Sequence, residues 1–185
     1  MKIFVGCASS EEIPAQYLED SKKYLSVLLK DNDLIFGAYN KGIMGLSYDI
    51  AKENKRKIIG ICPEVYQKDL EDLDLDIKDV TASISERTME LINKSDAIIF
   101  MPGGIGTMQE LFTAIESKRS KEFDKPIIIY NSNGYFDETL KMLEKIYDEK
   151  FTSKMVKECY HVSNSIEDTL EYLNKEKRNW KIPLL

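Results

Sequence analysis

The sequence predicts an α/β fold: a doubly wound parallel sheet with helices on both faces, in one domain over residues 1–185. Three observations carry that expectation. Five short runs rich in Ile, Val and Phe are apolar throughout rather than alternating, which is the pattern of strands covered on both faces. The stretches between them are long enough for crossover helices, and several repeat apolar residues at helical spacing. A chain of 185 residues that is 43% apolar has the material for one sizeable core.

In chain order the runs are KIFVGC from Lys2, DLIFGA from Asp33, KIIGIC from Lys57, DAIIFM from Asp96 and PIIIY from Pro126, with a weaker sixth, CYHVS, from Cys159. Between the first two, Tyr17, Leu18, Tyr24, Leu25, Leu28 and Leu29 share one helical face, after a Pro14 suited to a first turn. Segments 43–54, 84–93, 107–119 and 135–149 read as helices in the same way. The acidic stretch KDLEDLDLDIKD, 68–79, reads as a solvated loop or short helix; EF-hand spacing is absent there. The end of the chain, NKEKRNWKIPLL, sets basic residues beside Trp180 and Pro183 and reads as an exposed end or a subunit contact. Strand–helix alternation of this kind places ligands beyond the carboxyl ends of the strands, at a topological switch point.

Composition narrows the partners. Lys and Arg number 26 against 32 Asp and Glu, a net charge of -6, and no basic stripe or arm is present, so a nucleic-acid partner is not expected. No stretch approaches the roughly 20 apolar residues that span a bilayer, so no membrane partner is expected either and the chain reads as cytoplasmic. Cys7, Cys62 and Cys159 are an odd set at wide spacing, which suits inert buried thiols better than disulfides or a metal site. His161, the sole histidine, falls in the weak sixth run and reads as a packed or edge-strand imidazole.

The strongest local signal is DAIIFMPGGIGTMQE, where an apolar strand enters a Pro-Gly-Gly-Ile-Gly loop and then a helix. Glycines let backbone N–H groups approach an anion, and the helix that follows points unsatisfied N–H groups and its positive dipole end at the same place. The loop lacks the GK[ST] ending of a P-loop, and Gln109 stands where a dinucleotide fingerprint has its third glycine. A plain strand-to-helix turn is the other reading. Glu110 has two readings as well: the closing member of a Thr107–Glu110 capping box, or a carboxylate over an anion site. Arg87, on a helix whose buried face draws on Ile84, Met89, Leu91 and Ile92, either pairs with Glu86 or Glu90 on the surface or reaches a cleft, where a guanidinium suits phosphate.

Taken together these segments resemble the LOG (Lonely Guy) family of cytokinin riboside monophosphate phosphoribohydrolases, also labelled possible lysine decarboxylases. The hallmark of that family is an arginine-lysine pair followed by PGGxGTxxE. Here it stands as Arg87 and then PGGIGTMQE from Pro102, and the likeness extends through IFVGCASS, GIMG from Gly42, IIGICP from Ile58 and DKPIIIYNSNGYFD from Asp124. The resemblance implies a Rossmann-like fold and hydrolysis of a nucleoside 5′-monophosphate, AMP or a modified adenine nucleotide, to free base and ribose 5-phosphate. It implies Arg87 and Glu110 as the catalytic pair. Substrate binding would fall to Gly103, Gly104, Ile105, Gly106 and Thr107, with Ser9 and Gly42 from the neighbouring loops. It calls for no metal and no organic cofactor, and it implies a homodimer.

Three departures stand out. Thr88 replaces the family's lysine. FGAYNKG, with Ala38 and Tyr39, replaces its YGGG entry, where Lys41 is a candidate to compensate. Ser117 and Arg119 replace a tryptophan and a glutamine associated with base recognition or dimer contact. Two rival functions share the residues: a non-catalytic nucleotide or molybdenum-cofactor carrier, and a nucleoside deoxyribosyltransferase with a covalent sugar intermediate. Nothing suggests the pyridoxal phosphate site that lysine decarboxylation needs.

Overall fold

Chain order reverses beside the first strand, and that reversal organises the molecule. A computed structural model describes residues 1–180. It runs β1 (Lys2–Gly6), α1 (Ala15–Leu28), β2 (Asp33–Phe36), α2 (Gly42–Glu53), β3 (Ile58–Pro63), α3 (Gln67–Glu71), β4 (Ile77–Thr81) and α4 (Ile84–Lys94). Then come β5 (Ala97–Phe100), α5 (Ile105–Arg119), β6 (Ile127–Tyr130), α6 (Asp137–Asp148), β7 (His161–Ser163) and α7 (Ile166–Trp180). The strands form one parallel sheet in the order β4-β3-β2-β1-β5-β6-β7. The chain winds outward from β1 to β4, then returns to lay β5 against the other side of β1, with Gly6 opposite Phe100. A crevice therefore opens at the carboxyl ends of β1 and β5.

The continuous apolar runs are explained by two cores. Ile3 and Val5 face one layer with Tyr24, Leu25 and Leu28 of α1, Ile50 of α2 and Leu173 of α7. Phe4, Ile98 and Phe100 face the other with Leu91 and Ile92 of α4, Leu111 and Ala114 of α5, and Tyr147 of α6. Each central strand is buried on both faces, so alternation is lost from its sequence.

Several expectations need correction. The acidic stretch does contain a short helix, α3, but it is followed by a strand, β4, in register with β3 from Ile59↔Ile77 to Pro63↔Thr81. As an edge strand, β4 leaves Ile77 37% and Val80 43% exposed, and its charged neighbours Asp76, Lys78 and Asp79 mask the pattern that marks a buried strand. Helix α7 was not expected; it buries Thr169 and Leu173. The end of the tail, 181–185 with Pro183, lies outside the described residues. On α4, Ile84 is 49% exposed and Thr88 takes its place in the buried face. Pro14 is the N-cap of α1 rather than part of its first turn.

Burial depth sets the expected response to truncation. Ile99→Ala, in the fully buried centre of β5, is expected to lower unfolding free energy by about 3 kcal/mol in urea titrations. Ile77→Ala on the exposed edge is expected to cost less than about 1 kcal/mol.

Candidate active site

Three loops are laced together at the crevice. The Ala8 N–H donates to the Pro102 carbonyl at 3.0 Å, and the Met44 N–H donates to the Ala8 carbonyl at 3.0 Å. Gly42 adopts a positive φ of 61°, and a β-carbon there would overlap the Ser10 carbonyl oxygen, so this junction admits only glycine. The serine loop, with Ser9 exposed on it, the start of α2 and the glycine loop thus form one rim.

In the glycine loop the glycines have different reasons. A β-carbon on Gly103 would overlap the Thr107 hydroxyl, so Gly103 is needed for packing. Around Gly104 and Gly106 nothing lies within 4 Å of an added β-carbon; their bareness leaves open space in front of the backbone. Helix α5 starts at Ile105 with Gly104 as N-cap, and its first-turn N–H groups have no carbonyl one turn back to bond. Thr107 is buried, its side chain packed over Gly103, and Ile105 between the two open glycines is 87% exposed. The loop can therefore present backbone N–H groups and the positive end of α5 to an anion. Tyr135, from the turn before α6, donates its hydroxyl to the Gly103 carbonyl at 2.6 Å.

Glu110 lies one turn further along α5, only 5% exposed, and its carboxylate is paired with the Arg87 guanidinium reaching across from α4. The strand ends make room for both. A β-carbon on Gly6 would overlap the Phe100 ring and sit 3.1 Å from Glu110 Oε2, and one on Gly37 would sit 3.3 Å from both Arg87 Nη1 and the Met44 methyl. Of the two readings of Glu110, the capping box with Thr107 does not form, because α5 begins two residues before Thr107. The cap of that type belongs to α4, where Ser83 Oγ accepts from the Glu86 N–H at 3.1 Å and Glu86 Oε2 accepts from the Ala82 N–H at 2.9 Å. Arg87 meets neither Glu86 nor Glu90, and among the described residues its buried Nε has no hydrogen-bond partner. Burial pushes the Glu110 pKa up, and Arg87 only partly opposes it. Burial and the nearby Glu110 charge also push the Cys7 thiol up, keeping it protonated.

The departures are placed as follows. Thr88 is fully buried, with its hydroxyl 3.0 Å from the Ile84 carbonyl and 3.1 Å from Gln109 Oε1, so position 88 ties α4 to α5. Ala38 holds a left-handed φ of 59°, a conformation that disfavours a β-carbon by about 1 kcal/mol. Lys41 is half-exposed and paired with Glu11 at 2.6 Å. Ser117 is buried and Arg119 pairs with Glu116, at the far end of α5, about 20 Å of helix from the glycine loop. His161 sits on edge strand β7, stacked on Tyr172 at 4.3 Å and 2.9 Å from Asp168, and does not join the site. A cleft of about 520 Å³ between α1 and α2 reaches Gly42 but not Arg87 or Glu110, and its Glu11, Glu19 and Asp49 do not suit an anion. Among the described residues no group of three or more His, Cys, Asp or Glu side chains is placed to hold a metal ion, and no helix is long and apolar enough to cross a membrane.

Sequence reasoning did not single out Gly6, Gly37 or Tyr135. The signal for the two glycines was their place at the ends of apolar runs; for Tyr135 it was the Asn-Gly turn just before it.

Fold and site define an α/β protein of the doubly wound class, with an anion-type glycine loop and a buried arginine–glutamate pair at its switch point. Residues 44–173 match the family model described as possible lysine decarboxylase, and the chain belongs to that family, the LOG family. It is 30% identical over 159 residues to the cytokinin riboside 5′-monophosphate phosphoribohydrolase LOG3 of Arabidopsis thaliana, covering 85% of this chain and 74% of that protein. It is 28% identical over 174 residues to a probable enzyme of the same name, LOGL6, of Oryza sativa subsp. japonica, covering 93% and 70%. Among solved structures, the Moco carrier protein of Chlamydomonas reinhardtii shares the fold with a TM-score of 0.68 at 19% identity, covering 94% and 95%. The molybdenum cofactor binding protein of Rippkaea orientalis does so with a TM-score of 0.69 at 21% identity, covering 94% and 95%.

Two outcomes follow from this geometry. Gly106→Ala is expected to raise stability by up to about 1 kcal/mol, since alanine favours a helix and the space is empty; thermal melts measure it. Because the folded Glu110 pKa is raised, the native state holds more protons than the unfolded chain between the ordinary glutamate value and the raised one. The stability contributed by this group is therefore full below that window and lost as pH rises through it, a slope that Glu110→Gln is expected to remove from urea titrations run across pH.

Proposed function

We propose that this protein hydrolyses the N-glycosidic bond of a nucleoside 5′-monophosphate, AMP or a modified adenine nucleotide, releasing base and ribose 5-phosphate. The observation that carries the reading is the buried Arg87–Glu110 pair set directly behind an anion-type glycine loop. In this reading the backbone of Gly103 to Thr107 cradles the phosphate, with Ser9 and Gly42 on the adjoining rim. The C1′–N bond breaks and its electron pair leaves with the base, which takes a proton from solvent. The Glu110 carboxylate stabilises the positive charge growing on the sugar and orients a water molecule. The water oxygen bonds to C1′ as its proton passes to Glu110 and then to solvent. Arg87 keeps Glu110 aimed and partly offsets the burial that raises its pKa, and its unpartnered Nε is a further donor.

Membership of a family whose named relatives are phosphoribohydrolases supports the reaction class. The exposed Ile84 and Ile105, at the starts of α4 and α5, support a homodimer that closes over this end of the molecule and excludes water. Three free buried cysteines fit a reducing compartment, the cytoplasm.

Incubating the purified protein with AMP and following adenine and ribose 5-phosphate tests the proposal. Glu110→Gln is expected to slow release at least about 100-fold, and Arg87→Lys is not expected to restore what Arg87→Ala loses. The acid limb of the rate is expected to lie above the ordinary carboxylate range, since the raised Glu110 pKa must be passed before the carboxylate forms. Binding of AMP without adenine release would remove the hydrolase reading in favour of a carrier. Incorporation of labelled adenine into AMP would point instead to a glycosyl transferase.

A further inference from the structure

We infer that Tyr135 is a positioning residue that sets the glycine loop for the phosphate group. The inference rests on the reading of that loop as the phosphate cradle. Its hydroxyl donates to the Gly103 carbonyl at 2.6 Å. Across a planar trans peptide the carbonyl and the following N–H point in opposite directions, so anchoring the Gly103 carbonyl on Tyr135 turns the Gly104 N–H away from the tyrosine. Gly104 has no side chain and nothing near where one would be, and glycine flanked by glycine is the backbone least able to hold a peptide plane by itself. The other side of the loop is fixed through the Pro102 carbonyl, which accepts from the Ala8 N–H. Without the Tyr135 hydroxyl, the plane between Gly103 and Gly104 has no such anchor.

Tyr135 is itself held. Its ring meets Tyr17 edge-on at 5.5 Å and Phe136 at 5.1 Å. The turn carrying it reverses through Asn133 at φ 50° and Gly134 at φ 71°. The turn is pinned to α1 by Asp20, whose carboxylate accepts from Tyr130 at 2.7 Å and from the Ser132 hydroxyl. A side chain 32 residues from the loop in sequence thereby fixes one peptide of it.

The experiment compares binding of AMP and of adenosine, which lacks the phosphate, by calorimetry. Tyr135→Phe keeps the ring and removes the hydroxyl; AMP affinity is expected to fall about tenfold with adenosine affinity unchanged, the size of one lost preorganising hydrogen bond. Tyr147→Phe, which removes the Tyr147–Tyr160 hydroxyl contact away from the loop, is expected to leave the AMP-to-adenosine ratio as in wild type. Asp20→Asn, which loosens the turn with Tyr135 intact, is expected to lower the ratio in the same direction by less, and decides the matter if Tyr135→Phe fails to fold. An unchanged ratio in Tyr135→Phe, or equal weakening of both ligands, overturns the inference. Wild-type protein that prefers AMP but releases no adenine loses the hydrolase reading and keeps this one; wild-type protein without a preference for AMP loses this one.

Discussion

An arginine and a glutamate buried together where the strand order reverses constrain the elements around them. Neither charge can be left alone at this depth, since breaking a buried pair by removing one partner typically destabilises by about 3–5 kcal/mol. The pair must also be admitted by its surroundings. Gly6 and Gly37 supply the room at the ends of β1 and β2, and α4 and α5 must lie side by side to bring residues 23 positions apart into contact. Thr88, bonded to Gln109, strengthens that helix pairing at the position next to the arginine. Thr88 therefore supports the helix pairing that holds the arginine beside it.

In the proposed reading, backbone geometry around the pair takes the part that lysines play in known phosphate sites. The net charge of -6 leaves no general attraction for anions, so that reading rests on a few oriented N–H groups and one guanidinium in a buried region. That arrangement is only as good as its rigidity. The rim is held by hydrogen bonds between loops that are distant in sequence, Ala8 to Pro102, Met44 to Ala8 and Tyr135 to Gly103. The same burial that shields the site raises the Glu110 pKa, with Arg87 opposing the shift only in part.

The likeness of the fold to molybdenum cofactor carriers shows that this scaffold is not tied to one activity. The proposed hydrolase reading rests on the chemistry of the site, a buried carboxylate paired with a guanidinium, rather than on the sheet that supports it.

The sequence by itself determined the class of fold, six of the seven strands, the glycine loop, and Arg87 and Glu110 as residues of interest, because continuous apolar runs and glycine punctuation are local signals of burial and backbone shape. Only tertiary structure decided that β4 is a strand, since an exposed edge needs a neighbour's ladder and not an apolar face. Only it showed that Glu110 faces Arg87 instead of capping its helix, that Thr88 turns inward, and that Tyr135 reaches Gly103. Each of those facts depends on which helices a parallel sheet sets side by side, and no spacing within one segment encodes that.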